Sequence, residues 1–126
     1  MGCKAEEDYE TVVLLQAHSR PVFYPSICFH IQQCIEKYLK ALLAEENIYF
    51  PKTYDLSDLL DLLLERHPHL ELHRQALQLL SRFAFEYRYP GTEQIQHSSV
   101  QSAMDILHDV RDVIRSEISA LGGNPT

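Results

Sequence analysis

An arginine between two tyrosines, in the segment YRYPG at residues 87–91, is suited to binding a ligand. The guanidinium of Arg88 can hold a phosphate, and the rings of Tyr87 and Tyr89 can stack on a nucleobase. In the structural alternative, Tyr87 completes a helix core and Tyr89 pins the turn that Pro90 begins. Both interpretations put the segment at a helix end, because a Pro-Gly pair suits a turn.

Two histidines, His69 and His73, are four residues apart, a spacing at which two imidazoles can face one metal ion. The segment HLELH is not a metalloprotease motif, however, and no third ligand is evident in the sequence. Core or surface histidines are therefore the better interpretation, and we expect no metal and no other cofactor.

Bulk properties exclude several classes of protein. The three cysteines, Cys3, Cys28 and Cys34, form no CxxC motif, which argues against a disulfide framework or a zinc knuckle. The net charge of −7 argues against general nucleic-acid binding, which needs clustered cations. No apolar run approaches the roughly 20 residues of a membrane span, and no secretion signal is evident. We expect a cytoplasmic protein.

The elements that position these residues are helices. Apolar residues recur with helical periodicity in five segments, approximately at Glu6–Ser19, Ser26–Glu46, Leu56–Arg66, His69–Tyr87 and Glu93–Leu121. Ser26 and Asp55 are expected to cap the second and third helices. The pattern predicts an all-α fold, an antiparallel up-and-down bundle of four to five helices. Residues 1–121 would form one domain, and residues 122–126 a flexible tail.

The second helix has a polar cluster opposite its predicted core stripe, which consists of Ile27, Ile31, Cys34, Ile35, Tyr38 and Leu42. At about 100° per residue, one arc holds the following residues: Phe29, Gln33, Glu36, Lys37, Lys40 and Leu43. A solvated face with a Glu36–Lys40 ion pair is one interpretation. The other is a second packing or binding face, because a large ring such as Phe29 among polar groups usually seeks cover.

The segment FHIQQCIEKYLKALL (residues 29–43), followed by IYFPKTYDLSDLL (residues 48–60), resembles the HEPN domain family. The family pattern is F-x3-Q-x2-E-K-x2-K-A-L-L, then a proline and a turn similar to T-H-D-L. YRYPG resembles an R-Y-P motif of some members. Tyr54 departs from the pattern, since the family often has histidine there.

The resemblance implies a helical bundle that is often dimeric. It also implies three kinds of function: a companion of a minimal nucleotidyltransferase, a nucleotide-binding module, or an RNase of a toxin–antitoxin pair. Family RNases use R-x4-6-H near the start of the last core helix. After Arg88, the next histidine is His97, with eight residues between them, so the motif is not intact. A second match, Arg66 with His73, lies in the link into the fourth helix and is interpreted as chance.

The sequence therefore favours a non-catalytic HEPN protein that dimerises, partners a minimal nucleotidyltransferase, or does both. Its dimer or partner face would consist of Phe29, Gln33, Glu36 and Leu43. A nucleotide would bind at Lys37, Lys40, Arg88 and Tyr89. The alternatives are a metal-independent RNase toxin using Arg88 and His97, and a helical interaction module without a small ligand.

Overall fold

A computed structural model of the chain describes residues 2–18, 20–53, 55–91 and 94–122, and over these ranges it contains helices and no strand. The five α-helices are α1 (Gly2–Ala17), α2 (Tyr24–Glu45), α3 (Leu56–Leu63), α4 (Arg74–Arg88) and α5 (His97–Ala120). Short 3-10 helices at Pro21–Phe23 and Pro68–His73 precede α2 and α4. The predicted all-α class is confirmed. Tyr54 and most of the predicted tail (residues 123–126) lie outside the described residues.

Helix α2 is central and packs against each of the other four α-helices. The whole predicted core stripe of α2 is buried, and it consists of Ile27, Ile31, Cys34, Ile35, Tyr38 and Leu42. Cys28, Leu39, Ala41 and Leu43 are buried as well, so α2 is apolar around most of its circumference. A helix of this kind needs neighbours on several sides, and α1, α3, α4 and α5 provide them.

Contacts between helices give their directions. Ala5 and Asp8 of α1 contact Cys34 and Lys37 of α2, whereas the end of α1 lies beside the start of α2. These two helices therefore run in opposite directions. Helix α5 runs in the same direction as α2. The first residue of α5, His97, contacts the first residue of α2, Tyr24, and Arg111 further along α5 contacts Tyr38 further along α2. None of the described helices is both long and apolar enough to cross a membrane.

Local signals explain where α2 and α3 end and begin. Asn47 follows α2 with a φ of 56°, and the amide of Ile48 donates to the Leu43 carbonyl at 2.9 Å. This left-handed turn closes the helix. The Asp55 carboxylate accepts from the Ser57 amide at 2.8 Å, so its predicted cap is confirmed. The predicted cap at Ser26 is wrong, because α2 begins earlier, at Tyr24.

A partly buried ionic network joins α1, α2 and α5. The Glu6 carboxylate accepts from the Arg111 guanidinium at 2.8 and 2.9 Å, and also from the Tyr38 hydroxyl. Burial, followed by the electrostatic effect of the neighbouring Cys34 thiol as it ionises, raises the pKa of Tyr38 to about 12. The tyrosine therefore remains a neutral donor to Glu6 at physiological pH.

Candidate functional site

The end of α4 displays three aromatic rings on the surface. Phe85, Tyr87 and Tyr89 are 49%, 47% and 56% exposed. Phe85 and Tyr89 are four residues apart, and their ring centroids lie 4.6 Å apart, while Tyr87 stacks on Phe29 of α2 at 4.7 Å. The interpretation that Tyr87 completes the core is wrong, because the ring is half exposed. We call Phe29, Phe85, Tyr87, Arg88 and Tyr89 the aromatic–arginine surface.

Arg88 lies across this surface and borders two clefts. Its guanidinium carbon is 5.2 Å from the centroid of the Phe29 ring, a cation–π geometry. A polar cleft of about 570 Å³ between α2, α3 and α4 is lined by Gln32, Asp55, Ser57, Gln78, Ser81 and Arg88. A neighbouring cleft of about 280 Å³ is lined by Gln32, Ser81, Ala84, Phe85, Arg88 and Tyr89.

The polar cleft contains opposite charges. Arg88 contributes a cation, and Asp55, the cap of α3, contributes a carboxylate. A phosphate in this cleft would therefore be attracted by one group and repelled by the other. Amide and hydroxyl groups such as those of Gln32 and Ser81 can instead donate and accept hydrogen bonds, which suits a polar ligand of low charge.

The residues predicted to bind a nucleotide divide into two groups. Arg88 and Tyr89 line one cleft together, but Lys37 and Lys40 line neither cleft. Lys37 forms an ion pair with Asp8 of α1. Lys40 pairs with Glu36 at 2.8 Å, as the spacing predicts, and its ammonium lies 5.9 Å from the Phe50 ring centroid. The two lysines therefore take part in packing between elements, away from Arg88.

His97 begins α5 and contacts Tyr24 and Gln101. Its Nδ1 is 3.5 Å from the Tyr24 hydroxyl, and its Nε2 is 3.5 Å from the Gln101 amide nitrogen. Arg88 contacts Phe29, five residues after Tyr24 on α2. Side chains five residues apart on a helix project about 140° apart. The two residues therefore approach α2 from different sides, and His97 lines neither of the clefts that Arg88 borders.

The predicted dimer or partner face is not a continuous surface. Leu43 is fully buried inside the chain, so its assignment to this face is wrong. Helix α2 packs against all four other α-helices, which its sequence pattern alone does not reveal. Glu36 is engaged with Lys40, and Phe29 is half-buried under Tyr87, while Gln33 is exposed.

Sequence reasoning missed two features near these residues. Glu86 is only 6% exposed, and its carboxylate accepts from the amide of Gly91, whose φ is +96°. This bond holds the turn that presents Tyr89. An acidic residue in a largely apolar helix end, just before Pro-Gly, is the sequence signal that could have revealed this bond.

The second feature is an apolar groove between the end of α1 and the start of α2, where Leu14 and Phe23 are exposed.

The buried thiols are unsuited to nucleophilic chemistry. Burial raises the pKa of Cys28 to about 12, and burial followed by the Asp8 charge raises the pKa of Cys34 to about 12. Both side chains are inaccessible to solvent. A protonated, buried thiol neither attacks a substrate nor binds a metal, so these residues belong to the core.

Comparison with known proteins gives one match. A family model described as the HEPN domain matches residues 3–119 of the 126-residue chain. No curated protein and no solved structure matches the chain.

Proposed function

The chain belongs to the HEPN domain family, and from this membership we propose that it is a non-catalytic protein that binds another protein chain through the aromatic–arginine surface. The partner is a second copy of the chain or a minimal nucleotidyltransferase. In this proposal the four long helices, α1, α2, α4 and α5, alternate in direction as an up-and-down bundle, which the contacts between helices support.

The exposed rings at the end of α4 are the observation that supports this proposal. Phe85, Tyr87 and Tyr89 are each about half exposed, and Arg88 lies among them. Aromatic residues and arginine contribute most to binding energy at protein interfaces, where they become desolvated. The rings are already paired with each other or with Phe29, so a partner would meet a largely ordered surface.

The positions of Arg88 and His97 support a role without catalysis. A proton-transfer group must come within hydrogen-bond reach of the atom that it serves. Arg88 and His97 contact different sides of α2, and His97 is already in contact with Tyr24 and Gln101. An RNase test addresses the alternative: we expect no cleavage of RNA by the purified chain. Cleavage that disappears in His97→Ala would contradict the proposal.

Sedimentation velocity tests the protein-binding proposal. The full chain is examined alone and mixed with a minimal nucleotidyltransferase from the same genome. We expect association in at least one of these samples and its loss in the double variant Tyr87→Ser/Tyr89→Ser. Tyr49→Ser is the matched control, since Tyr49 is 84% exposed and outside the surface. A wild-type chain that remains monomeric in both samples, or a double variant that associates normally, overturns the proposal.

A nucleotide is a second candidate ligand, supported by the shared cleft of Arg88 and Tyr89. An aromatic ring can stack on a base while a guanidinium contacts the phosphate. Thermal unfolding with a panel of nucleotides tests this, because a ligand of the folded state raises the unfolding midpoint. We expect Arg88→Met to abolish any rise and Lys37→Met to preserve it. A rise that depends on Lys37 would contradict the assignment to this cleft.

A further inference from the structure

At the opposite end of the bundle, two histidines and a glutamate from separate parts of the chain come together. We propose that His67, His69 and Glu117 bind a divalent transition-metal ion of the Zn²⁺ type. The proposal is independent of the function proposed above, and it departs from the sequence prediction of no metal site. That prediction paired His69 with His73, whereas the structure pairs His69 with His67 and adds a carboxylate 48 residues further along the chain.

The ligand atoms already have the spacing of a metal site. One nitrogen or oxygen from each of the three residues lies within 4.8 Å of the others. His67 Nδ1 is 3.2 Å from Glu117 Oε2, and His69 Nε2 contacts Glu117 Oε1. Zinc binds imidazole nitrogen and carboxylate oxygen at about 2.0–2.2 Å, which places tetrahedral ligands roughly 3.4 Å apart. To surround an ion, the three atoms need only move from separations of up to 4.8 Å to about this distance.

The hydrogen bonds of His67 favour a cation at this position. The residue is 5% exposed, and both of its ring nitrogens face carboxylates: Nε2 is 2.6 Å from Glu46 and Nδ1 is 3.2 Å from Glu117. A neutral imidazole has a single N–H, so it can donate to only one of them. Its other nitrogen then directs a lone pair at a carboxylate oxygen, a repulsive contact that an intervening metal ion would make attractive.

Glu46 has the position of an outer partner of a metal ligand. Metal-binding histidines usually donate their second N–H to a carboxylate, which orients the ring and increases its basicity. Glu46 would accept a hydrogen bond from the Nε2–H group of His67. Its own carboxylate is held by Arg66 at 3.3 Å, and Arg66 also donates to the Glu46 carbonyl at 2.9 Å.

The fold explains both the order of the site and its access. His67 follows α3, and Pro68 begins the 3-10 helix that contains His69, so the backbone at the two histidines is restrained. Glu117 belongs to the last turn of α5. His67 is buried, but the side chains of His69 and Glu117 are 48% and 22% exposed. An ion can therefore enter from solvent and retain a water molecule as its fourth ligand.

A calorimetric titration of the metal-free full chain with Zn²⁺ tests the proposal. The visible absorption spectrum with Co²⁺ reports the ligand geometry. All variants are made in a Cys3→Ser background without a histidine tag, so that no terminal thiol or tag binds the ion. We expect one ion per chain, with an affinity at least tenfold lower in His69→Gln and in Glu117→Gln. His18→Gln is the matched control, because His18 is an exposed histidine near the other end of the bundle.

The outcomes distinguish a metal site from a set of hydrogen-bonded side chains that binds no ion. His69 is half exposed, so His69→Gln is expected to fold, and circular dichroism checks this. Loss of binding in His69→Gln and Glu117→Gln, with wild-type binding in His18→Gln, supports the proposal. Absence of binding, or equal affinity in all three variants, overturns it.

Discussion

The two ends of the bundle use polar and aromatic groups in opposite ways. Where α2 begins, the rings of Tyr87 and Tyr89 are exposed, and Arg88 lies on the surface among them. Where α2 ends, an imidazole is almost completely buried between two carboxylates, those of Glu46 and Glu117. The first end leaves aromatic area exposed, and the second engages its polar groups with one another.

This difference indicates where substitutions should alter binding and where they should alter stability. An exposed ring loses little free energy of folding when it is truncated, but it can contribute strongly to an interface. A buried polar group has the reverse property, since removing it leaves its partners without hydrogen bonds. The predictions below test this contrast in stability, from the largest effect to the smallest.

Alkaline pH should produce the largest fall in the free energy of unfolding, because it ionises the two buried thiols of α2. The folded-state pKa values of Cys28 and Cys34, about 12, lie above the ordinary thiol pKa of about 9. The unfolded chain therefore releases these protons first, and the free energy of unfolding falls as pH rises from about 9 towards 12. Each thiol contributes a slope of about 1.4 kcal/mol per pH unit. Urea unfolding at several pH values, in the presence of a reductant, measures this slope.

The double variant Cys28→Ala/Cys34→Ala supplies the control for this titration. Between pH 9 and 10 the slope should flatten, because the thiols no longer contribute. Above pH 10 a slope should persist, because the pKa of Tyr38 is also raised, to about 12. An unchanged slope below pH 10 in the double variant would contradict the assignment of the titration to the thiols.

Leu43→Ala should lower the free energy of unfolding by about 3 kcal/mol, because it leaves a cavity at a fully buried site. Phe29→Ala, at the exposed end, should cost clearly less than Leu43→Ala despite the larger side chain, since the ring is only half-buried. Urea denaturation of both variants measures the difference. Equal losses would mean that the aromatic end is as tightly packed as the core.

His67→Asn should cost about 2 kcal/mol in metal-free buffer, because the Glu46 carboxylate loses the hydrogen bond of a buried donor. Tyr87→Ser at the other end should cost less than half of that. Thermal and urea unfolding in the presence of a chelator give both values. If His67→Asn leaves the free energy of unfolding unchanged, the buried imidazole is not needed for stability. The contrast between the two ends would then be lost.

Disruption of the Glu36–Lys40 pair should have the smallest effect. Glu36→Gln should cost about 0.3 kcal/mol, as for other pairs four residues apart on a helix, and the difference should shrink in high salt. Urea unfolding at 0.05 and 1 M salt measures it. A salt-independent loss would point instead to the contact of Lys40 with the Phe50 ring.

Much of the fold could be predicted from residue periodicity, because local patterns determine helices. The core stripe of α2 and the Asp55 cap are both found where the sequence indicated. The predicted first residues of the helices were less accurate. The fourth begins at Arg74, because Pro68–His73 forms a 3-10 helix instead, and the fifth begins at His97 rather than near Glu93, which lies outside the described residues.

The candidate sites were harder to predict, because they depend on which helix covers which face. Leu43 looked like the margin of a polar arc, but it lies in the core since α2 is surrounded. Lys37 looked available to a ligand, but Asp8 of α1 pairs with it. The sequence by itself determined that α2 is a long helix with a polar stripe and that YRYPG ends α4. Only the tertiary structure decided that Phe29 stacks on Tyr87 and that His67, His69 and Glu117 meet, because contacts between residues far apart in the chain arise from packing.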